Sequence, residues 1–166
     1  SPLNDNETER YDQASITHDS VSLYDHCLKA LENGMQVGSH GLPLIGSGDW
    51  NDGLNNVGKK GIGESTWLAW FQYQVFMKFS QICNLEKDPL HASRYQKYAK
   101  SVIQSAQKHA WDGNWYLRAF SDSGQVLGSV QNSEAIIDSI SQTWAIISDA
   151  EKGPRALQAL ESVEKH

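Results

Sequence analysis

A glycine-rich loop at residues 41–58 places two carboxylates around an indole. Asp49 and Asp52 flank the pair Trp50-Asn51, with glycines before and after them. A structural turn uses glycines and one Asp or Asn, which bond their own backbone, but it does not need a tryptophan between two acids. A carboxylic acid can move a proton, and an indole face can pack on a sugar ring. The first hypothesis is therefore a site for glycoside chemistry.

This loop has two other interpretations. Turn chemistry alone would account for Asp49 and Asp52, because both acids stand beside glycines. A calcium loop of the EF-hand type fails, since its last position needs a bidentate Glu. The two possible registers around Gly53 put Lys59 or Lys60 there instead.

Breaking a glycosidic bond requires a proton on the leaving oxygen, which a positioned Asp or Glu supplies. Hydrolysis would also need a second carboxylate as base or nucleophile, and Asp49 and Asp52 could form that pair. Phosphate is already anionic, so phosphorolysis needs one acid only. The residues themselves leave both reactions open.

The composition is that of a globular chain of 166 residues, with 39% hydrophobic residues. A net charge of −6 argues against nucleic acid as a partner, because phosphate contacts rely on Lys and Arg. Cys27 and Cys83 form no CxxC pair and are predicted to be reduced core cysteines of a cytoplasmic-type compartment. No apolar run reaches the roughly 18 residues of a membrane span. The histidines show no metal-ligand spacing, and His40, beside the loop, receives no role.

Hydrophobic periodicity predicts helices on both sides of the loop. Residues 1–18 are polar and predicted to be a loop. Predicted helices run from Asp19 to Asn33-Gly34, from Glu64-Ser65-Thr66 to beyond Ile82, from Asp88-Pro89 to about Ala110, from Asn132 or Ser133 to Gly153-Pro154, and onwards from there. The alternation within 114–128 predicts a short β-hairpin. Helical pairs joined by unequal loops favour an α/α toroid, with the functional loop at 38–63.

Several segments resemble glycoside hydrolase family 94, which includes cellobiose and chitobiose phosphorylases and the phosphorylase-like domain of cyclic β-1,2-glucan synthases. The segment Gly41–Gly53 is similar to the family's catalytic loop. Three later segments resemble further family motifs, with the cyclic-glucan-synthase branch nearest: Gly63–Phe71, Ala110–Ala119 and Ile137–Ala145.

The resemblance implies an all-α fold, part of an (α/α)6 barrel, and inverting phosphorolysis of a β-glucoside such as a β-1,2-glucan or a cellobiose-like sugar. Inorganic phosphate is then the co-substrate, α-glucose 1-phosphate the product, and no cofactor or metal is needed. By this resemblance, Asp52 is the general acid and Trp50 contributes to the sugar subsite. Asp49 is assigned to substrate binding together with Trp50, because it helps to shape the loop. Tyr116 and Arg118 match a recurrent motif but are assigned no catalytic role, and the structural alternative for them is a salt-bridged arginine beside a packed aromatic.

The resemblance also implies that donor-subsite and phosphate-binding segments lie outside residues 1–166, which form a partial catalytic barrel. The isolated segment is therefore expected to be inactive and to depend on the remaining segments of its parent. As a fragment it is expected to be cytoplasmic, whereas a parent of the cyclic-glucan-synthase type would be associated with the inner membrane. The alternative function is a non-catalytic module that binds glucan or controls chain length.

Overall fold

The computed structural model describes residues 11, 13, 15–16, 18 and 20–166, so the predicted loop at 1–18 and the predicted helix start at Asp19 lie mostly outside the described residues. Within that part of the chain there are five helices and three two-residue strands. The helices are α1 (Leu23–Asn33), α2 (Thr66–Leu85), α3 (Pro89–His109), α4 (Ser139–Ile147) and α5 (Pro154–Lys165), and the strands are β1 (Glu64–Ser65), β2 (Ala119–Phe120) and β3 (Val126–Leu127).

The prediction of an all-α fold with a small β-hairpin is confirmed. The central unit of the fold is the helical hairpin formed by α2 and α3, the two longest helices. Ser65 caps α2 by accepting a hydrogen bond from the Leu68 N–H at 3.1 Å. Asp88 caps α3 by accepting from the His91 N–H at 3.1 Å, with Pro89 at the first helical position, as predicted. Such antiparallel helix pairs are the repeating unit of a helical barrel.

The predicted β-hairpin forms and gains a third strand. β2 pairs with β3 in an antiparallel register that places Ala119 opposite Leu127. β1 joins the other side of β2, with Ser65 opposite Ala119. Because β1 runs directly into α2, the sheet ties the hairpin to the start of that helix.

The core lies on both sides of α2. One cluster joins α2 and α3 to the hairpin and α4, and includes Trp70, Val102, Tyr116, Leu117 and Ala145. A second cluster joins α1 to the α2–α3 pair, where Phe76, Tyr95 and the half-buried Tyr24, Leu28 and Leu31 pack together. Of the two free cysteines, Cys83 is buried in this second cluster and Cys27 is half-buried.

The predicted start of the fourth helix at Asn132 or Ser133 is wrong, because α4 begins at Ser139 after an Asp138 cap. Ala135 has a left-handed backbone with φ of +47°, which a helix cannot contain. The Trp115 indole N–H donates to the Ile136 carbonyl at 3.1 Å, and this contact helps to keep the residues before α4 in a non-helical conformation. Tertiary contacts therefore override the apolar spacing.

Among the described residues, no helix is both long and apolar enough to cross a bilayer.

Candidate active site

The loop at 38–63 connects α1 to β1 and is tied to the small sheet along its length. The Ile45 N–H donates to the Gly63 carbonyl at 2.9 Å, and the Ser65 N–H donates to the Pro43 carbonyl at 2.9 Å. Gly58 packs so closely against this strand-like stretch that a Cβ there would lie 2.2 Å from Ile45 Cγ2. The two ends of the loop are therefore pinned together, and the segment at 46–57 projects between them.

Asp49 is fixed by an ion pair beneath the loop. Arg118 donates from Nη1 to Asp49 Oδ2 and from Nη2 to Oδ1, both at 2.7 Å. The Asp49 side chain is 0% exposed and that of Arg118 is 3% exposed. A bidentate guanidinium–carboxylate pair combines charge with fixed geometry. This pair therefore determines where the loop sits relative to β2.

Two further hydrogen bonds complete the environment of Asp49. The Ser65 hydroxyl donates to Asp49 Oδ2 at 2.6 Å, and the Asn51 N–H donates to Oδ1 at 3.0 Å. Burial opposes ionisation of Asp49, but the hydrogen bonds from Arg118, Ser65 and Asn51 outweigh it and hold the pKa of this carboxyl below its ordinary value of 3.8. Asp49 is thus ionised at neutral pH and acts as an acceptor.

Arg118 also faces α4 on its other side. Its Nε lies 3.0 Å from Asp138 Oδ2, although this nitrogen has no hydrogen bond of good geometry. Asp138 caps α4 by accepting from the Ile140 N–H at 3.0 Å. One arginine therefore lies between the loop carboxylate and the carboxylate that begins α4.

Asp52 and Trp50 have the opposite surroundings from Asp49. The Trp50 side chain is 69% exposed, and Asp52 is exposed at the start of a short 3₁₀ helix, Asp52–Leu54. Asn51 caps that turn by accepting from the Gly53 N–H at 2.9 Å. No side chain in the described part of the protein donates a hydrogen bond to Asp52. An exposed carboxyl beside an exposed indole is available to a ligand, whereas Asp49 is not.

A pocket of about 260 Å³ opens beside Trp50. Its walls come from the loop, from the residue before β2, and from the cap and first two turns of α4: Trp50, Asn51, Arg118, Asp138, Ser139, Ile140 and Thr143. The pocket combines an aromatic face, a guanidinium, a carboxylate and hydroxyls. These are the groups that bind a polyhydroxylated ligand. A cluster of three or more His, Cys, Asp or Glu side chains able to hold a metal does not occur among the residues described.

The far end of the loop is held by Asp122, in the turn between β2 and β3. Its carboxylate accepts hydrogen bonds from the N–H groups of Lys60 at 2.7 Å, Ile62 at 3.0 Å and Gly63 at 2.9 Å. Desolvation raises the pKa of Asp122, but these three donors outweigh it and lower the pKa below its ordinary value. Arg118 and Asp122 therefore hold the loop from the two ends of β2.

His40 and Tyr116, left without roles by the sequence, both serve the framework. His40 Nδ1 lies 2.5 Å from the buried Glu64, and its ring stacks on Phe120 at 4.0 Å between centroids. Glu64 also accepts from the Leu42 N–H at 3.0 Å, so it holds the start of the loop. Tyr116 is buried, and its hydroxyl donates a hydrogen bond to Glu151 at 2.7 Å. Burial, and after it this hydrogen bond, raises the pKa of Tyr116.

Several residues of the site could not be identified from the sequence. Glu64, Ser65 and Asp138 lie in segments that resemble family motifs, but nothing in those segments or around Asp122 marks these residues as partners of the loop. The available signal for Asp138 was its place as an Asp before an apolar helix, which is typical of a cap. For Arg118 the signal was a lone cation in an otherwise alternating hairpin.

Comparison with known proteins gives one family. The family model described as glycosyl hydrolase 94 superfamily, catalytic domain, matches residues 3–166.

Three relatives are phosphorylases or a glucan synthase by name. The chain is 33% identical over 162 residues to cyclic beta-(1,2)-glucan synthase NdvB of Rhizobium meliloti (strain 1021), covering 97% of this chain and 6% of the relative. It is 33% identical over 147 residues to 3-O-beta-D-glucopyranosyl-beta-D-glucuronide phosphorylase of Paenibacillus borealis, covering 88% and 19%. It is 34% identical over 145 residues to solabiose phosphorylase of the same organism, covering 86% and 19%. The chain thus spans at most 19% of the length of these relatives.

Proposed function

Because the chain belongs to the glycosyl hydrolase 94 superfamily, we propose that it supplies the proton donor and one sugar-binding surface of a glycoside phosphorylase domain. Asp52 is the general acid and Trp50 is the platform for the sugar. The contrast within the loop carries this assignment: Asp49 is fully used by Arg118 and Ser65, whereas Asp52 is exposed.

The proposed reaction needs one acid from this chain. Asp52 gives its proton to the glycosidic oxygen as the bond from that oxygen to the anomeric carbon breaks. Inorganic phosphate attacks the same carbon from the opposite face, so a β-glucoside gives α-glucose 1-phosphate and a sugar with a free hydroxyl. Phosphate arrives as an anion and needs no base to activate it. Asp52 remains as a carboxylate and regains a proton from solvent.

Asp49 has a different part in this proposal. Its carboxylate is ionised, buried and bound by three protein groups, so it orients the loop and carries no proton to the substrate. Placing the acid within a fraction of an ångström of the leaving oxygen is worth a large part of the rate. The ion pair with Arg118 provides that placement.

The relatives support a β-linked glucoside as substrate and phosphate as co-substrate, since one is named as the phosphorylase of a 3-O-beta-D-glucopyranosyl compound, one as solabiose phosphorylase and one as a cyclic beta-(1,2)-glucan synthase. In this proposal residues 1–166 supply the acid, and other segments of the full-length protein bind phosphate. The proposal therefore concerns the full-length protein that contains this chain, with the isolated segment inactive.

The test is phosphate dependence combined with removal of the acid. The full-length protein is incubated with β-1,2-gluco-oligosaccharides or cellobiose, with and without inorganic phosphate, and glucose 1-phosphate is measured. Asp52→Asn should lower kcat by about 10²–10⁴-fold, the usual contribution of a general acid, with sugar binding retained. Asp25→Asn, an exposed acid in the first turn of α1, is the control.

Other outcomes point to the two alternatives. Equal sugar binding with and without phosphate, and no product, would favour a module that binds glucan or controls chain length. Free glucose without dependence on phosphate would indicate a hydrolase, with its second carboxylate outside this chain. Near-normal turnover by Asp52→Asn would exclude Asp52 as the acid.

A further inference from the structure

We propose that the pocket beside Trp50 accepts a neutral sugar and disfavours a sugar that bears a carboxylate, with Asp138 as the residue that determines this specificity. The inference deepens the proposed function and rests on it, because it names the class of sugar that the same site takes. It stands on the charges that line the pocket.

The one guanidinium in the pocket is already neutralised. Arg118 makes two hydrogen bonds of 2.7 Å to Asp49, and its remaining Nε lies 3.0 Å from Asp138. Two carboxylates thus share one cation, which leaves an excess negative charge at this point. Because Asp49 is buried and Asp138 is 34% exposed, the excess charge that a ligand meets is that of Asp138.

The N-terminus of α4 offers no compensating charge either. A free helix N-terminus attracts anions through its N–H groups and its dipole. Here the Asp138 carboxylate already accepts from the Ile140 N–H at 3.0 Å and occupies that position. An anionic ligand would therefore meet a like charge where a free helix end would have favoured it.

The remaining groups suit neutral hydroxyls. A sugar hydroxyl can donate to Asp138 and accept from a neighbouring donor, so it matches a carboxylate without adding charge. Arg118 lines the same pocket, although its side chain is only 3% exposed and its Nε–H has no hydrogen bond of good geometry. Trp50 supplies the apolar wall. A volume of about 260 Å³ lies just under the range of about 300–1,000 Å³ that is usual for ligand pockets, which suits one ring.

The decisive variant is Asp138→Asn, which removes the charge and keeps the cap, since Asn caps helices as well as Asp does. Arg118 keeps its two bonds to Asp49 in this variant. Asp88→Asn is the matched control, because Asp88 caps α3 in the same way and does not line the pocket.

The full-length protein is assayed in the synthetic direction with α-glucose 1-phosphate as donor and either glucose or glucuronate as acceptor, so that the two acceptors differ in one carboxylate. In parallel, binding of methyl β-glucoside and methyl β-glucuronide is measured by ligand-observed NMR. The wild-type protein should prefer the neutral compounds, and Asp138→Asn should reduce that preference by about fivefold or more, because like charges brought together at a site are costly. Asp88→Asn should leave it unchanged.

The two assays separate this inference from the proposed function. If the wild type transfers glucose to neither acceptor, the proposed function fails, and the binding measurement still decides on the pocket. An unchanged preference in Asp138→Asn would overturn the inference, as would equal binding of both glycosides by the wild type. If Asp138→Asn weakened binding of both glycosides to the same extent, the inference would also be overturned, because the charge of Asp138 would then not distinguish the two ligands.

Discussion

Arg118 holds both carboxylate oxygens of Asp49 at 2.7 Å across 69 residues of sequence, while Asp52 lies exposed three positions further along the same loop. Two acids that look alike in the sequence therefore have different chemistry. Asp49 is buried and cannot reach a ligand. Asp52 can reach one, but its position depends on the ion pair that holds Asp49. The variants below separate these two functions.

Loosening the ion pair should slow the reaction without removing the acid. Arg118→Lys keeps the charge but cannot make the bidentate contact. We expect kcat to fall by about tenfold or more, because misplacing a catalytic group by an ångström is costly. Hydrogen exchange of peptides covering 45–58 should become faster in the full-length protein. Arg94→Lys, in an exposed pair with Glu32, is the control. Unchanged kcat with a loosened loop would show that the loop's position is not needed.

The same pair predicts a dependence of stability on pH. The pKa of Asp49 is lower in the folded protein than its ordinary value of 3.8, so its contribution is fully present above 3.8 and is lost as the pH falls towards the folded value. Asp49→Asn removes the bidentate partner of the buried Arg118 and leaves it the ion pair with Asp138 alone, which should cost up to about 3 kcal/mol at neutral pH. The difference in unfolding midpoint between the two proteins should stay constant from pH 7 to pH 5, by this linkage, and shrink below about pH 4. A constant difference down to pH 2 would contradict the ion pair as its source.

Removing the indole should weaken sugar binding and leave the fold intact. Trp50 is 69% exposed, so Trp50→Ala creates no cavity. An aromatic anchor that a ligand covers is worth more than about 1 kcal/mol, so we expect KM for the sugar to rise by about tenfold. Trp50→Phe should recover part of the loss. An equal effect of both variants on kcat alone, with KM unchanged, would mean that the ring does not serve as a sugar platform.

Tyr116 should prove structural. Its hydroxyl donates to the buried Glu151 at 2.7 Å, and its ring packs on Trp70 and Trp111. Burial raises its pKa, so the hydroxyl stays protonated near neutral pH. Tyr116→Phe should cost about 1.5–3 kcal/mol, as for a hydrogen bond to a charged group, with kcat/KM unchanged. A fall in kcat without a fall in the unfolding midpoint would instead give Tyr116 a part in catalysis.

Gly58 should not tolerate a methyl group. A Cβ there would lie 2.2 Å from Ile45 Cγ2 and 3.0 Å from backbone atoms of Gly46, so the loop would have to shift. Gly58→Ala should therefore lower kcat and speed hydrogen exchange around residue 45. Gly34→Ala is the control, because Gly34 has a right-handed backbone with φ of −77° and its nearest neighbour would lie at 3.4 Å. Equal effects of the two substitutions would contradict a steric origin.

Local signals in the sequence were enough for most of the elements but not for the site. The start of α3 at Asp88-Pro89 and the hairpin turn near Gly124 are confirmed, because each depends on a few neighbouring residues. The start of α4 could not be predicted, since Trp115, far along the chain, holds Ile136 out of a helix. Strand β1 has two residues, too few for any periodicity.

The loop's chemistry shows the same limit. Asp49, Trp50 and Asp52 could be named from their spacing and from family resemblance, and their catalytic roles remain predictions. Which acid is buried depends on Arg118 and Ser65, and no pattern within the loop records those partners.

The two contacts from β2's ends also limit how the loop can be moved between proteins. Arg118 fixes Asp49, and Asp122 fixes Lys60 to Gly63, so a span of five hairpin residues sets the distance between Asp49 and the last residues of the loop. A graft of residues 45–63 alone would leave its anchors behind. A chimaera that exchanges the loop together with the hairpin would carry Arg118 and Asp122 along with the residues that they bind. A single insertion between Arg118 and Asp122 would change the spacing of these two contacts, so that both could not form at once.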